Sequence, residues 1–320
     1  MNFFRKKKKL LNPFLSDPRL YSLSQQNTYA NFYGFLKDPF DPHPDPNFFF
    51  LTENCREVWN SMLQGITERK GFLLLTGESG IGKTTLMAMV YLYLTTNGRK
   101  MKVIPLFDPP VTIGEILRAI LRKLGFPTKE ENKNKLHSQL DEVVLQRSDR
   151  GEATVMIFDE AQNLPKEVLD EIRLFATPPP ERPKFLQEIF VGTGKFEKDL
   201  KGKDFSALNQ SFEVRCRLRP FTLEESLDYI EHRLNRAGST TPGVFTPRAA
   251  SRIARHANGI PGNINRVCQE VLSVGYTQMK EKTDSADVKK AIANFRKESK
   301  KMWQLREKIL FRLQKHSPRW

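Results

Sequence analysis

Cysteine is scarce in this chain, with three residues in 320: Cys55, Cys216 and Cys268. The number is odd and the spacings are long, which excludes a disulfide framework and paired metal-ligand spacing. A reducing, cytoplasmic compartment is expected. Long apolar runs are missing as well. No stretch approaches the roughly 18 residues of a membrane-crossing helix, and the best one, residues 86–94, is short and falls inside a helical period. Beyond the basic N-terminal run, Asn12, Pro13, Ser16 and Asp17 break up the apolar residues, so the start of the chain does not read as a secretory signal. There is no internal repeat, which removes solenoids and propellers. Acidic residues are in deficit: 37 Asp and Glu stand against 52 Lys and Arg, a net charge of +15. A surplus that large points to an anionic partner, whether nucleotide, nucleic acid or an acidic membrane face.

What is present divides along the chain. Residues 1–37 carry the run Arg5-Lys6-Lys7-Lys8-Lys9 followed by Ser, Gln, Asn and Tyr, and read as a basic, weakly structured segment. Residues 38–46 hold four prolines in nine positions and must be extended. Apolar runs at 71–76, 102–107, 154–158 and 188–191 read as buried strands. Between them, helical spacing covers 53–69, 83–94, 113–124, 133–147 and 165–176. Strands alternating with helices predict a mostly parallel sheet with helices on both faces. From residue 219 the pattern is helical only, starting with the capping box Thr222-Leu223-Glu224-Glu225. The expected organisation is thus a core over 38–218, a helical lid over 219–283 and a basic helix over 284–320.

Between the first strand and its helix stands Gly77-Glu78-Ser79-Gly80-Ile81-Gly82-Lys83-Thr84, followed by Thr85. This fits G-x-x-x-x-G-K-[ST], which arises by chance in roughly 1 % of chains this long at average glycine usage. The main-chain amides of such a loop cradle phosphate oxygens, the Lys83 ammonium reaches the β- and γ-phosphates, and the Thr84 hydroxyl holds Mg²⁺. Some 75 residues on, Val155-Met156-Ile157-Phe158 ends in Asp159-Glu160. A carboxylate at a strand tip suits Mg²⁺, which assigns that role to Asp159. Glu160, one residue further, is placed to orient and deprotonate the attacking water. ATP and Mg²⁺ are the expected ligands, and the glutamate favours ATP hydrolysis over kinase or GTPase chemistry.

These residues resemble the ExeA/GspA family of AAA+ ATPases. The likeness spans about 38–275. It includes Pro39-Phe40 with Pro44-Asp45-Pro46-Asn47-Phe48-Phe49, Gly65-Ile66 with Arg69 and Gly71-Phe72, and Asp159-Glu160-Ala161-Gln162. It continues through 168–174, Tyr229-Ile230 with His232-Arg233-Leu234, and Gly259-Ile260-Pro261 with Ile264-Asn265. The resemblance implies a P-loop three-layer sandwich, a helical lid, and homo-oligomers, ring or filament, built around ATP. It also implies a sensor strand whose polar position is Thr193, where the hydroxyl would contact the γ-phosphate or the water.

Two arginines of the family pattern are missing. Ser211 stands where a trans-acting arginine is common, leaving Arg215 as the substitute. Gly262 stands where the lid carries an arginine, leaving Arg266 one helical turn on. Slow or partner-dependent hydrolysis is therefore expected. Phe40 and Phe48–Phe50 are read both as adenine-pocket residues and as ordinary core. Between residues 288 and 320 there are 11 Lys and Arg against 2 Glu. Nucleic-acid backbone and an acidic membrane surface are the two anions such ends suit, and nothing resembles a base-reading motif. Three functions stay open: an ATPase of secretion or envelope assembly, an ATP-switched DNA-binding regulator like the Tn7-type transposition ATPases, and a scaffold that binds ATP without hydrolysing it.

Overall fold

The computed structural model describes residues 28–43, 45–96, 100–175, 186–239 and 243–295. The basic run at 5–9 and most of the basic C-terminal segment, residues 296–320, lie outside them. The described residues form two compact units, one of residues 43–220 and one of residues 28–42 with 221–295.

The first unit is built on a five-stranded sheet of β1 (Phe72–Thr76), β2 (Met101–Leu106), β3 (Ala153–Phe158), β4 (Leu186–Gly192) and β5 (Val214–Arg217). The order is β2-β3-β4-β1-β5 and every pairing is parallel. The inner strands are buried along their whole length, with few polar residues, because helices cover both faces. On one face, Leu74, Ile104, Met156, Phe158 and Phe190 join a core closed by α4 (Ile113–Leu124), α5 (Lys133–Asp149) and α6 (Lys166–Phe175). The other face takes α2 (Glu53–Thr67) and α3 (Lys83–Thr96). Gln187 ties α2 to the sheet: its buried amide nitrogen donates to the carbonyls of Ile66 (3.0 Å) and Lys70 (3.2 Å).

Because β1 lies between β4 and β5 while the chain crosses to β2 and β3 on its other side, the sheet has its switch point at β1. Open parallel sheets place their ligand crevice at the carboxyl ends of the strands at such a point. Two short helices, α7 (Gly194–Asp199) and α8 (Ser206–Ser211), and the edge strand β5 are additions to the elements expected from sequence.

The second unit holds α1 (Thr28–Phe32), α9 (Leu223–Arg236), α10 (Pro247–Ala257), α11 (Pro261–Thr277) and α12 (residues 285–295). The Thr222–Glu225 capping box opens α9 as expected. Residues 28–42 differ from the sequence expectation, which left 1–37 weakly structured and began the core at 38. They fold with the helical unit, where Tyr33, Phe35 and Phe40 are buried. The cause is local chemistry. Aromatic side chains in this stretch need cover, and carbonyls of the proline-rich loop need donors. The Tyr33 hydroxyl donates to Lys280 O at 3.0 Å. Arg233, itself buried, donates to Pro39 O and, at 2.9 Å, to Asp41 O.

Candidate functional site

The loop of residues 77–82 leaves the tip of β1 and runs straight into α3, whose first residues are Lys83, Thr84 and Thr85. A helix's first turn has amides with no intrahelical acceptor, so this end presents N–H groups and a positive dipole end to an anion. Gly80 and Gly82 hold φ of 76° and 102°. That is left-handed backbone which a side chain disfavours, and it keeps the loop open. Glu78, Ser79 and Gly80 are exposed, whereas Gly77 and Ile81 are buried against the sheet end.

Lys83 is 5 % exposed, and its ammonium donates to the carbonyls of Gly77 and Glu78, both at 3.0 Å. Burial lowers its pKa, an effect opposed by the nearby Glu160 and Asp159 carboxylates. Asp159, one residue past β3, is 2 % exposed. Its Oδ2 accepts from the Thr84 hydroxyl at 2.6 Å and its Oδ1 from the Glu160 amide at 2.9 Å. Desolvation raises its pKa, against the lowering by those two hydrogen bonds. The structure thus brings Lys83, Thr84, Asp159 and Glu160 together across two strand ends separated by β4 in the sheet.

A hydroxyl and a carboxylate in contact form a hard-oxygen pair that fits Mg²⁺, an ion held by one or two protein oxygens plus substrate phosphates. Among the described residues there is no group of three or more His, Cys, Asp or Glu side chains able to hold a metal.

Glu160 has φ 51° and begins a short turn, Ala161–Asn163. Its Oε2 accepts from the side-chain amide of Gln162, whose own Oε1 accepts from the Thr193 amide at 3.1 Å. Thr193 follows β4 and opens α7, so it joins the group through its backbone. Arg215 does not join it. It sits on β5 opposite Leu74, bonds Asn209 Oδ1 at 2.9 Å, and lies over the Phe212 ring. In the helical unit, Gly262 is the second residue of α11 and Arg266 stacks over Phe295. Phe40 packs against Phe245, and Phe48 is buried in the sheet unit.

Sequence reasoning missed two features. One is the Gln162 link, whose signals were its place two residues past the acidic pair and its inclusion in the family-like stretch Asp159–Gln162. The other is a polar cluster beside the loop: Thr76 Oγ1 donates to Glu197 Oε2 at 3.3 Å, and Arg217 reaches the same oxygen at 3.6 Å. Nothing in the sequence singles out Glu197, which is 121 positions from Thr76.

Residues 66–200 match the family model described as AAA domain. The chain is 28 % identical over 261 residues to General secretion pathway protein A of Aeromonas hydrophila, covering 81 % of this chain and 47 % of that protein. It therefore spans about half the length of that curated relative, and the resemblance to ExeA/GspA-type proteins holds. Among solved structures, the Aeropyrum pernix ORC2 protein in its ADPNP-ADP complexes matches with a TM-score of 0.59 at 16 % identity, over 80 % of this chain and 71 % of that one. The Aeropyrum pernix ORC1 protein in complex with DNA matches with 0.60 at 18 % identity, over 81 % and 69 %. The sheet unit has the fold of P-loop AAA+ ATPases, and most of the helical unit, residues 221–295, comes after it in the chain. Among the described residues no helix is long and apolar enough to cross a membrane.

Proposed function

We propose that the sheet unit binds Mg-ATP at residues 77–85 and hydrolyses it slowly, driving or switching assembly with a partner. The observation that supports this most is the Thr84–Asp159 contact of 2.6 Å, formed across the fold beside the buried Lys83 ammonium. In this reading the amides of 77–85 and the Lys83 ammonium hold the phosphates, and Thr84 and Asp159 hold Mg²⁺. When bound, that ion would neutralise charge on the phosphates. Glu160 orients the water and takes its proton, while Thr193 stands by the water or the γ-phosphate. Serine at 211 and glycine at 262 support slow turnover, since an arginine at the transferred phosphate is worth about 10³–10⁵ in rate. Arg215, held by Asn209, would serve a neighbouring subunit only after releasing that contact.

Similarity supplies the partner class. A relative named for the general secretion pathway favours a protein client in secretion or envelope assembly, with homo-oligomers around ATP and a cytoplasmic location. The net charge of +15 favours a second reading, an ATP-switched protein that also contacts nucleic-acid backbone through its basic ends. Single-turnover hydrolysis of radiolabelled ATP, with and without duplex DNA, tests both. Glu160→Gln is expected to keep Mg-ATP binding and to lose about a hundredfold or more in rate. Stimulation by DNA that weakens steeply with salt supports the second reading. Unchanged turnover in Glu160→Gln overturns the assignment of the site.

A further inference from the structure

Glu160 and Gln162 flank Ala161, which is fully buried and opens a single short turn closed by the Asn163 amide on Glu160 O at 2.8 Å. With Ala161 facing inward, its two neighbours meet each other through their side chains. Chemistry fixes how the Gln162 amide is oriented. A carboxylate only accepts, so the nitrogen must face Glu160 Oε2; a main-chain amide only donates, so the oxygen must face Thr193 N. Both ends of the side chain are used, and both targets belong to the group of residues around Lys83. Glu160 also keeps a left-handed backbone without being glycine, a conformation that persists only where the surroundings hold it.

We propose that Gln162 is a positioning residue: its amide couples the backbone at the tip of β4 to the Glu160 carboxylate and so sets where the water-activating oxygen stands. This rests on the reading of Glu160 as the group that activates water. With Oε2 held by Gln162, Oε1 is the oxygen left for water. A shift of the β4 tip, where Thr193 stands, is passed to Glu160 through one side chain rather than through the backbone of β3. Holding a reacting group in the productive geometry raises the rate of the chemical step without adding to substrate binding.

Two substitutions separate the two ends of the amide. Gln162→Met keeps the length and loses both hydrogen bonds. Gln162→Glu keeps an acceptor for the Thr193 amide but loses the donor to Glu160. Single-turnover hydrolysis and Mg-ATP titration are run on the full chain for wild type, both variants and Glu160→Gln. The expected result is a fall in the single-turnover rate of about tenfold or more in both Gln162 variants, with Mg-ATP affinity within about twofold of wild type. In the nucleotide-free chain, hydrogen exchange at the Thr193 amide is expected to speed up in Gln162→Met and to stay near wild type in Gln162→Glu.

A rate equal to or above wild type in either variant overturns the proposal, as does a parallel loss of nucleotide affinity, which marks a merely structural role. Unchanged exchange at Thr193 in Gln162→Met overturns the coupling to β4. If Glu160→Gln leaves hydrolysis intact, or wild type does not hydrolyse at all, the reading of the site itself fails and this inference with it. Failure confined to the Gln162 variants leaves that reading standing.

Discussion

Asp159 and Glu188 are both acids buried in the sheet unit, and their surroundings give them different meanings. Asp159 has the Thr84 hydroxyl, the Glu160 amide and a nearby ammonium. Glu188, in the middle of β4, is 0 % exposed, and neither of its carboxylate oxygens has a hydrogen-bond partner among the described residues. Burial pushes its pKa well above the usual carboxylate range. The folded protein therefore holds Glu188 protonated where the unfolded chain ionises it, near pH 4.3. As pH rises past that value, unfolding releases a proton, and stability falls by about 1.4 kcal/mol per pH unit until the native carboxyl ionises. Glu188→Gln should remove this slope. Urea midpoints measured from about pH 5 to pH 7 should fall in wild type, stay flatter in the variant, and favour the variant at the upper end. A variant whose midpoint falls as steeply as wild type would contradict the assignment. At this scale the sequence exposed the loop and the acidic pair, because their chemistry depends on fixed local spacing. Glu188 lay unread inside a strand pattern because one charge in an apolar run does not announce whether it is paired.

Elements with strong local signals were legible. α4 runs over Ile113–Leu124 at the expected positions, with Thr112 as its N-cap and Gly125 as its C-cap. β5 was not seen, because Val214-Arg215-Cys216-Arg217, although it alternates as a half-buried strand does, is only four residues long. Only pairing with β1 makes it a strand. α7 and α8 are six residues each, shorter than helical periodicity can reveal. α1 was lost because its cover comes from helices distant in the sequence, above all α11. In the helical unit the turn into α11 depends on Gly259, which has φ 71° and whose added Cβ would stand 2.1 Å from Phe221 O. Gly243 also has positive φ, 72°, but open space around it. Gly243→Ala is expected to cost about 1 kcal/mol from backbone strain alone, and Gly259→Ala at least about 1–2 kcal/mol more because backbone must move. Chemical denaturation of the two variants checks this, and equal costs would contradict the close approach.

Over the whole molecule, a parallel sheet followed by a helical unit was predictable from the order of patterns. The exchange of residues 28–42 into the helical unit was not, since it depends on contacts distant in sequence such as Arg233 with Asp41. The charge surplus of +15 belongs to this scale too, but it points to the class of partner and not to the partner itself. What unites the scales is one claim: the tip of β1 holds a triphosphate through main-chain amides and a single ammonium. Equilibrium titration of Mg-ATP against wild type and Lys83→Ala tests it most directly. Saturable binding in wild type, weakened by about tenfold or more when the charge-assisted contacts of Lys83 are lost, is the predicted result. Failure of the wild-type chain to retain Mg-ATP at millimolar nucleotide, or equal binding by Lys83→Ala, would contradict the account.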